Sequence, residues 1–544
     1  MRFQDMPYER LALASIQDKL GGYLKQIKAA ASADALLSLL KKMYKFSDHM
    51  ETMSSLCYAR NTLDTTDEFY SAEVEYWDEM LPCVGEITQA IALAVLNSPH
   101  RAGLEKLLPP VFFGTLEVEL KTFSPAIIGQ LQEENRLCTE YQKLLASAQI
   151  EFDGKVLTLA QLTPYHQDKA QGVRKASMEA RAAWFDSKKD ELDELFDKMV
   201  KVRTSMALAL NYPSFVEMGY DRMKRLSYNA EMVKTFRQNV INNVVPEAAA
   251  IKAEQMARIG VTGPKLPLYD DAFVFPDGNP TPQGSPEEIF AAAREMYHEM
   301  SEETAEFIDF MLENELFDVL TRKGKAGGGY CMSLPEFRSP FIFSNFNGTA
   351  GDIDVLTHEA GHALADYQGY DLFSPLQHAT YEACEVHSMS MEFLAYPYME
   401  RFFGADTEKY KKSHYADAVT FIPYGTMVDH FQHIVYEKPE MTPAERNAAW
   451  LELEGIYRPW LDMDFPFYGE GRRWQAQAHI YERPFYYIDY CLAQTVALDI
   501  LKLSQENYQE AWSRYMKYLN MGGTETFLNL LQKSGLTNPF VLKA

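Results

Sequence analysis

Apolar residues recur every three to four positions through most of this chain, the spacing that puts one stripe of an α-helix against a core. Segments 11–46, 67–97, 168–210, 230–259, 286–317, 443–453 and 508–531 all carry this pattern, so the fold is expected to be mainly α. Strand-like alternation is confined to a few places. Residues 150–159 alternate about the pair Asp153-Gly154, which predicts a β-hairpin. Residues 326–334, with a glycine-rich lead-in, and 340–348 predict two short strands. Residues 262–286 hold six prolines and three glycines and predict an irregular loop. It should end at Ser285-Pro286-Glu287-Glu288, which supplies an N-cap, a proline at the first helical position and a capping-box glutamate. A boundary is expected near the hairpin, dividing an N-terminal helical domain, 1–160, from a second domain, 161–544.

The stretch 355–367 combines helical spacing with His358-Glu359-Ala360-Gly361-His362. On a helix the two histidines lie four residues apart on one face and can reach a single metal ion. Glu359 leaves the helix beside His358, where it can act as general base toward an attacking water. A catalytic metal site needs a third protein ligand from another element. Residues 381–392 offer Glu382, Glu385 and Glu392 on one face of a second helix. Burying three acids on an apolar helix is costly without a cation or hydrogen-bond partners.

These motifs resemble the thimet oligopeptidase and oligoendopeptidase F family of zinc metallopeptidases, in which a His-Glu-x-Gly-His helix is followed by a ligand glutamate with another glutamate seven positions on. Glu385 with Glu392 fits that pattern and Glu382 does not. The resemblance therefore implies one zinc ion on His358, His362 and Glu385, with Glu359 as the base and with Glu382 and Glu392 able to orient the histidines. It implies that strands 326–334 and 340–348 form a small sheet beside the zinc helix whose edge holds the substrate backbone. It also implies a two-domain helical peptidase enclosing a deep substrate channel that admits short peptides and excludes folded proteins. Far downstream, 472–490 is dense in histidine and tyrosine. The resemblance puts a substrate-binding histidine on His479 and places its tyrosines among Tyr486, Tyr487 and Tyr490 without dividing the roles between them. Tyr486 and Tyr490, four apart, are the expected partners of His479 in stabilising the oxyanion. The resemblance extends over about 150–540.

Composition narrows the setting. A formal net charge of −25 argues against nucleic acid or an anionic membrane as partner. No run of roughly 18 apolar residues and no signal-peptide core is found, so a cytoplasmic location is expected. The six cysteines lack Cys-x-x-Cys spacing, so neither a disulfide framework nor a thiolate zinc site is indicated. The triple glycine 327–329 lacks a Gly-Lys-Ser/Thr ending, so nucleotide binding is not indicated. His430 and His433 lie three apart with no third ligand in sight and are expected to be structural. Two rival functions remain. A zinc carboxypeptidase would need a cationic anchor, for which Arg472, Arg473 and Arg483 are available. A non-catalytic zinc-stabilised interaction protein would have no use for Glu359. Oligomeric state is not legible in the sequence.

Overall fold

The computed structural model describes residues 1–541. Its N-terminal helices are α1 (Leu13–Lys28), α2 (Ala33–Leu63), α3 (Glu68–Leu96), the single turn α4 (Arg101–Leu104), α5 (Pro110–Thr122) and α6 (Ile128–Ala146). The predicted segment 11–46 is thus two helices. Ser32 stops continuation by taking an extended backbone and accepting a hydrogen bond from the Ala35 amide, which starts α2 afresh. Helix α3 has a window of mean hydropathy 1.4, long and apolar enough by composition to cross a membrane, an apolar stretch that the sequence analysis passed over. Val74, Trp77, Met80, Val84 and Val95 of that helix are buried in the protein core.

The hairpin forms as predicted. Strands β1 (Ile150–Phe152) and β2 (Lys155–Leu157) pair antiparallel, and both turn residues take positive φ, 52° at Asp153 and 68° at Gly154. After α7 (Leu159–Leu162) come α8 (Gln171–Ala209) and α9 (Phe215–Arg222). Helix α10 (Ala230–Asn239) passes through a π-turn at Val240–Val244 into α11 (Val245–Ile259). The proline-rich loop contains only the two-residue strand β3 (Leu266–Pro267) and a 3₁₀ turn before the Ser285 capping box opens α12 (Pro286–Met300). Segment 286–317 then divides again, because Ser301 caps α13 (Glu302–Glu313) and Phe317 belongs to strand β4 (Phe317–Leu320). Strands β5 (Tyr330–Leu334) and β6 (Ser339–Phe346) complete a three-stranded sheet of order β4-β6-β5, with β4 parallel and β5 antiparallel to β6. Strand β6 is central and buried nearly throughout, whereas β5 is an edge.

The remaining helices are α14 (Gly351–Gly369), α15 (Tyr381–Leu394), α16 (Glu400–Phe403), α17 (Thr407–Glu437), α18 (Pro443–Tyr457), α19 (Ala478–Glu482), α20 (Tyr487–Glu506), α21 (Tyr508–Leu519) and α22 (Phe527–Ser534). Segment 508–531 is again two helices, separated by a turn through Gly522 and Gly523. One buried core runs from Phe3 to Leu531. The N-terminal helices join it through polar ties as well, since Glu134 of α6 pairs with Arg203 (2.6 Å) and Arg222 (2.9 Å), and the Tyr141 hydroxyl donates to the Gln475 carbonyl (3.0 Å). The helices enclose a cavity of about 2120 Å³ lined by residues from α2 to α20, with α14 and α15 forming part of its wall.

Helices α14 and α15 meet backbone to backbone. A Cβ at Gly361 would lie 2.6 Å from both the His387 carbonyl oxygen and the Ser388 Cα, neither of which can swing aside. Gly361→Ala is therefore expected to push the helices apart, costing on the order of 1–3 kcal/mol as an overpacked site. A lowered thermal midpoint together with reduced metal retention after dialysis would show it, and an unchanged melting curve would refute the close approach.

Candidate metal centre

Helix α14 is fixed at its start by Asp352, whose carboxylate accepts from the amides of Asn347 (2.9 Å) and Gly348 (2.8 Å) at the end of β6. Two turns on, His358 and His362 face α15. Glu385 Oε2 lies 3.3 Å from His358 Nε2 and 3.4 Å from His362 Nε2. Among the described residues this is the group of three metal-ligating side chains whose donor atoms all fall within 4.8 Å of one another. The fit to zinc can be tested by geometry. Ligand distances of about 2.0–2.1 Å in a tetrahedron imply donor separations of about 3.3 Å, which is what the two glutamate–histidine edges show. The donor set, two imidazoles and a carboxylate, is also one that zinc accepts.

The carboxylate of Glu385 is 1% exposed and held on both oxygens. Ser388 Oγ donates to Oε2 at 3.0 Å, and the Tyr486 hydroxyl donates to Oε1. Glu392 stands behind His358: its Oε1 lies 2.6 Å from His358 Nδ1, and its Oε2 lies 2.7 Å from His414 Nε2. Burial favours the neutral forms, but hydrogen bonding and mutual attraction hold Glu392 below its ordinary pKa and lift His414 to about 9. Glu392 is thus an anion that accepts the Nδ1 proton of His358 and leaves Nε2 free to meet a cation. His414, on α17, was not singled out in the sequence, and no local signal marks it.

Glu382 does not join this group. At about 100° per residue it lies roughly 60° around the helix from Glu385, on the side opposite to the displacement of Glu392. Its carboxylate accepts from Thr380 Oγ1 (2.8 Å), and burial with the nearby Asp489 raises its pKa to about 8. The expectation that Glu382 orients a histidine is corrected accordingly.

Glu359 is 6% exposed and lines the cavity without a hydrogen-bond partner among the described residues. Burial raises its pKa, opposed by His358 and His362. The backbone leading into β5 runs beside it, so close that a Cβ at Gly329 would lie 3.6 Å from Glu359 Oε1. A side chain there would occupy the space in front of the carboxylate.

On the facing wall the cavity is lined by His479, Tyr486 and Tyr490. Tyr424 donates to Gln477 Oε1 at 2.7 Å, so the Gln477 amide nitrogen faces His479 Nδ1 at 3.1 Å, and His479 Nε2 meets the Tyr490 hydroxyl at 3.2 Å. Since Nδ1 accepts from Gln477, the ring proton sits on Nε2 and points to Tyr490. Burial pushes the His479 pKa down to about 4, so the ring is a neutral donor near pH 7. Tyr487, one of the three tyrosines in question, does not line the cavity and packs against Phe421, Tyr424 and His479. Tyr486 and Tyr490 are the pair that faces inward, with ring centroids 4.9 Å apart.

A strained corner sets this pair. Phe485 precedes Tyr486 with φ of 67°, a left-handed conformation that costs a bulky residue about 1–3 kcal/mol. It is held from both sides, its amide donating to Gln432 Oε1 (2.8 Å) and its carbonyl accepting from the buried Arg225 guanidinium. Its ring fits against Gly219, where a Cβ would be 2.5 Å away. Elsewhere, His430 and His433 bond to Tyr457 and Tyr220, each at 3.1 Å, as structural histidines do. All six cysteines are free.

A helix-borne His-Glu-x-x-His pair closed by a glutamate from the next helix, opening on an enclosed cavity, is the working arrangement of a metallopeptidase. Comparison with known proteins assigns the family. Residues 285–542 match the model of peptidase family M3, and residues 3–123 match the peptidase M3 N-terminal domain. The solved structure of PZ peptidase A with an inhibitor is 45% identical, with a TM-score of 0.98 over 99% of this chain and 96% of that one. A candidate oligoendopeptidase F from Bacillus anthracis str. Ames is 43% identical, with a TM-score of 0.93 over 99% and 95% of the two chains. Oligopeptidase PepF of Bacillus subtilis (strain 168) is 22% identical over 95% of this chain and 80% of its own. The chain belongs to peptidase family M3 and is a metalloendopeptidase of that family.

The three glutamates of α15 should separate in a metal-retention experiment. Glu392→Ala is expected to weaken metal binding about 10- to 100-fold by releasing His358. Glu382→Ala, which touches neither histidine, should retain metal like the parent protein. Metal analysis after dialysis decides between them, and loss from the Glu382 variant alone would overturn the geometry.

Proposed function

We propose that the enzyme binds one zinc ion through His358, His362 and Glu385 and hydrolyses internal bonds of short peptides. Zinc, when bound, supplies a Lewis acid that polarises the peptide carbonyl and makes water acidic enough to attack at neutral pH. The other steps fall to the chain's own side chains. Glu359 takes the proton of the attacking water and delivers it to the departing amine. The exposed edge of β5 holds the substrate backbone by main-chain hydrogen bonds, which are indifferent to side-chain identity. Tyr490, which accepts a hydrogen bond from the His479 Nε2 proton, donates its own hydroxyl proton to the oxyanion as it forms, so the two residues act in line. Tyr486 keeps Glu385 oriented and stands beside Tyr490 as a further donor. The observation that carries this reading is Glu359, a buried carboxylate with no hydrogen-bond partner among the described residues, set one residue from a ligand histidine and facing the cavity. The names borne by the relatives, oligopeptidase and oligoendopeptidase F, agree with short peptides as substrates.

An internally quenched peptide blocked at both ends is expected to be cleaved, and a chelator should abolish the cleavage. Failure to cut it would favour the carboxypeptidase reading instead. Glu359→Gln should keep the metal but lose about two or more decades of kcat, because an amide cannot accept the proton. Near-parental turnover by the zinc-loaded variant would remove Glu359 from the mechanism. Tyr490→Phe deletes one hydroxyl and almost no volume. It should lower kcat by about 100-fold with little change in KM, since the bond strengthens only in the transition state. An unaltered kcat with a slightly lower melting temperature would make Tyr490 a packing residue.

A further inference from the structure

Past His479 the cavity reaches a second polar region, where two arginines stand without a carboxylate partner. Arg473 lines the cavity from the 3₁₀ turn Arg473–Ala476 and makes no hydrogen bond or ion pair among the described residues. Its guanidinium lies only over the Tyr424 ring, 4.8 Å from the centroid. Arg181, from α8, lines the same cavity and donates to the Tyr468 hydroxyl at 2.5 Å, and it makes no ion pair among the described residues. Tyr468 also lies within electrostatic reach of Arg473, so the two cations share one neighbour; Glu454 and Asp271 act on Arg473 at longer range, but each is already paired, with Arg458 and Lys252. Beside them His166 has a buried Nε2 with no partner, and burial together with Arg181 pushes its pKa down to about 4.

Three neighbouring cations are already satisfied, whereas Arg483, nearer Tyr486, has no ion pair among the described residues. Lys252 pairs with Asp271 at 2.8 Å, and Arg458 pairs with Glu454 at 2.5 Å. Arg472, one of the three arginines considered as a carboxylate anchor, is committed to Asp193 (2.9 Å) and Glu470 (3.0 Å). Asp417 faces the cavity as well, and the charges that act on it are those of Lys252, His414 and Asp271. In a chain of net charge −25, these two half-buried arginines form no ion pair among the described residues. Holding cations away from water without a partner is unfavourable, and an incoming anion would relieve it.

We propose that Arg473 and Arg181 bind the C-terminal carboxylate of the peptide substrate. The proposal rests on the peptidase reading above. A guanidinium matches the two oxygens of a carboxylate, and a peptide carries that group at its end whatever its sequence. A terminal anchor set apart from the metal centre by Tyr424, Gln477 and His479 leaves several residues of peptide between the scissile bond and the C-terminus. Together with the β5 edge, it selects substrates by their end and length, with side chains secondary.

The test uses the zinc-loaded full chain and three quenched peptides of one sequence: the free acid, its C-terminal amide, and an amide whose last residue is glutamate. The free acid should have a KM lower than that of the amide by about 10-fold or more, with similar kcat, and the glutamate-ended amide should behave as the plain amide. Arg473→Met and Arg181→Met should each bring the acid-to-amide ratio close to one. Because the ratio is taken within each variant, a general loss of folded enzyme cancels. Equal kcat/KM for acid and amide in the parent protein would overturn the proposal. So would a glutamate-ended amide that matches the free acid, which would make the region a side-chain pocket. If Arg483→Met abolishes the preference while Arg473→Met keeps it, the anchor lies beside Tyr486 instead. If Arg473→Met lowers kcat on acid and amide alike, Arg473 merely supports Tyr424 and through it His479. Absence of cleavage of all three peptides by the parent protein would refute the peptidase reading itself, an outcome distinct from equal cleavage.

Discussion

A carboxylate buried to 1% exposure has to be neutralised where it stands, and Glu385 is that carboxylate. Removing it from water costs several kcal/mol unless cations and hydrogen bonds replace the solvent. The elements around the metal centre are placed to do so: two imidazole nitrogens at 3.3 and 3.4 Å, a serine on its own helix, and a tyrosine arriving from the start of α20. The arrangement closes only because α14 and α15 touch at Gly361, since any side chain there would displace the helix that carries both histidines. The two imidazole nitrogens that help neutralise the glutamate stand from it at the separations a tetrahedral cation requires.

The reacting groups differ in how firmly they are fixed. His358 is tied through Glu392 to His414, and His479 through Gln477 to Tyr424, so each imidazole has one nitrogen fixed from behind, leaving the other for the metal centre in His358 and for the Tyr490 hydroxyl in His479. The two rings serve opposite purposes. An anion behind His358 makes it a good ligand, whereas a neutral amide behind His479 leaves it an uncharged donor. Among the described residues Glu359 has no hydrogen-bond partner, which leaves its carboxylate open to the cavity. Rigidity on one wall comes at the cost of backbone strain at Phe485, which Gln432 and Arg225 hold in a left-handed conformation.

Charge is distributed unevenly within the acidic whole. Most interior arginines are paired, such as Arg174 with Asp270 (2.7 Å), Arg203 with Glu134 and Arg237 with Asp429 (2.9 Å). These pairs staple helices across the fold and are committed to structure. Arg181 and Arg473 depart from that rule only where the cavity wall is open to a ligand. The net charge of −25 therefore says little about the charge a substrate meets, which is set by which few side chains the fold leaves unpaired.

Local chemistry decided what could be seen in the sequence. His358, Glu359 and His362 sit within one turn and a half of helix, so their common face follows from helical geometry alone, and the hairpin at Asp153-Gly154 and the cap at Ser285 follow from equally local rules. The helix breaks at Ser32 and Ser301 were missed because apolar spacing continues across them while a single capping side chain ends the helix. The sequence placed three glutamates near the metal and, through its family resemblance, favoured Glu385. Only the packing of α15 separated their roles, because a rotation of roughly 60° between Glu382 and Glu385 decides which carboxylate meets the histidines and which turns to Thr380. His414, Gln477 and Tyr424 gave no local sign, since each acts through a partner that the fold alone brings within hydrogen-bond distance. That Tyr486 and Tyr490 line the cavity while Tyr487 packs away from it likewise follows from how the start of α20 is docked. Periodicity and motif spacing describe one element at a time, and a site built across several helices exists only once they are packed.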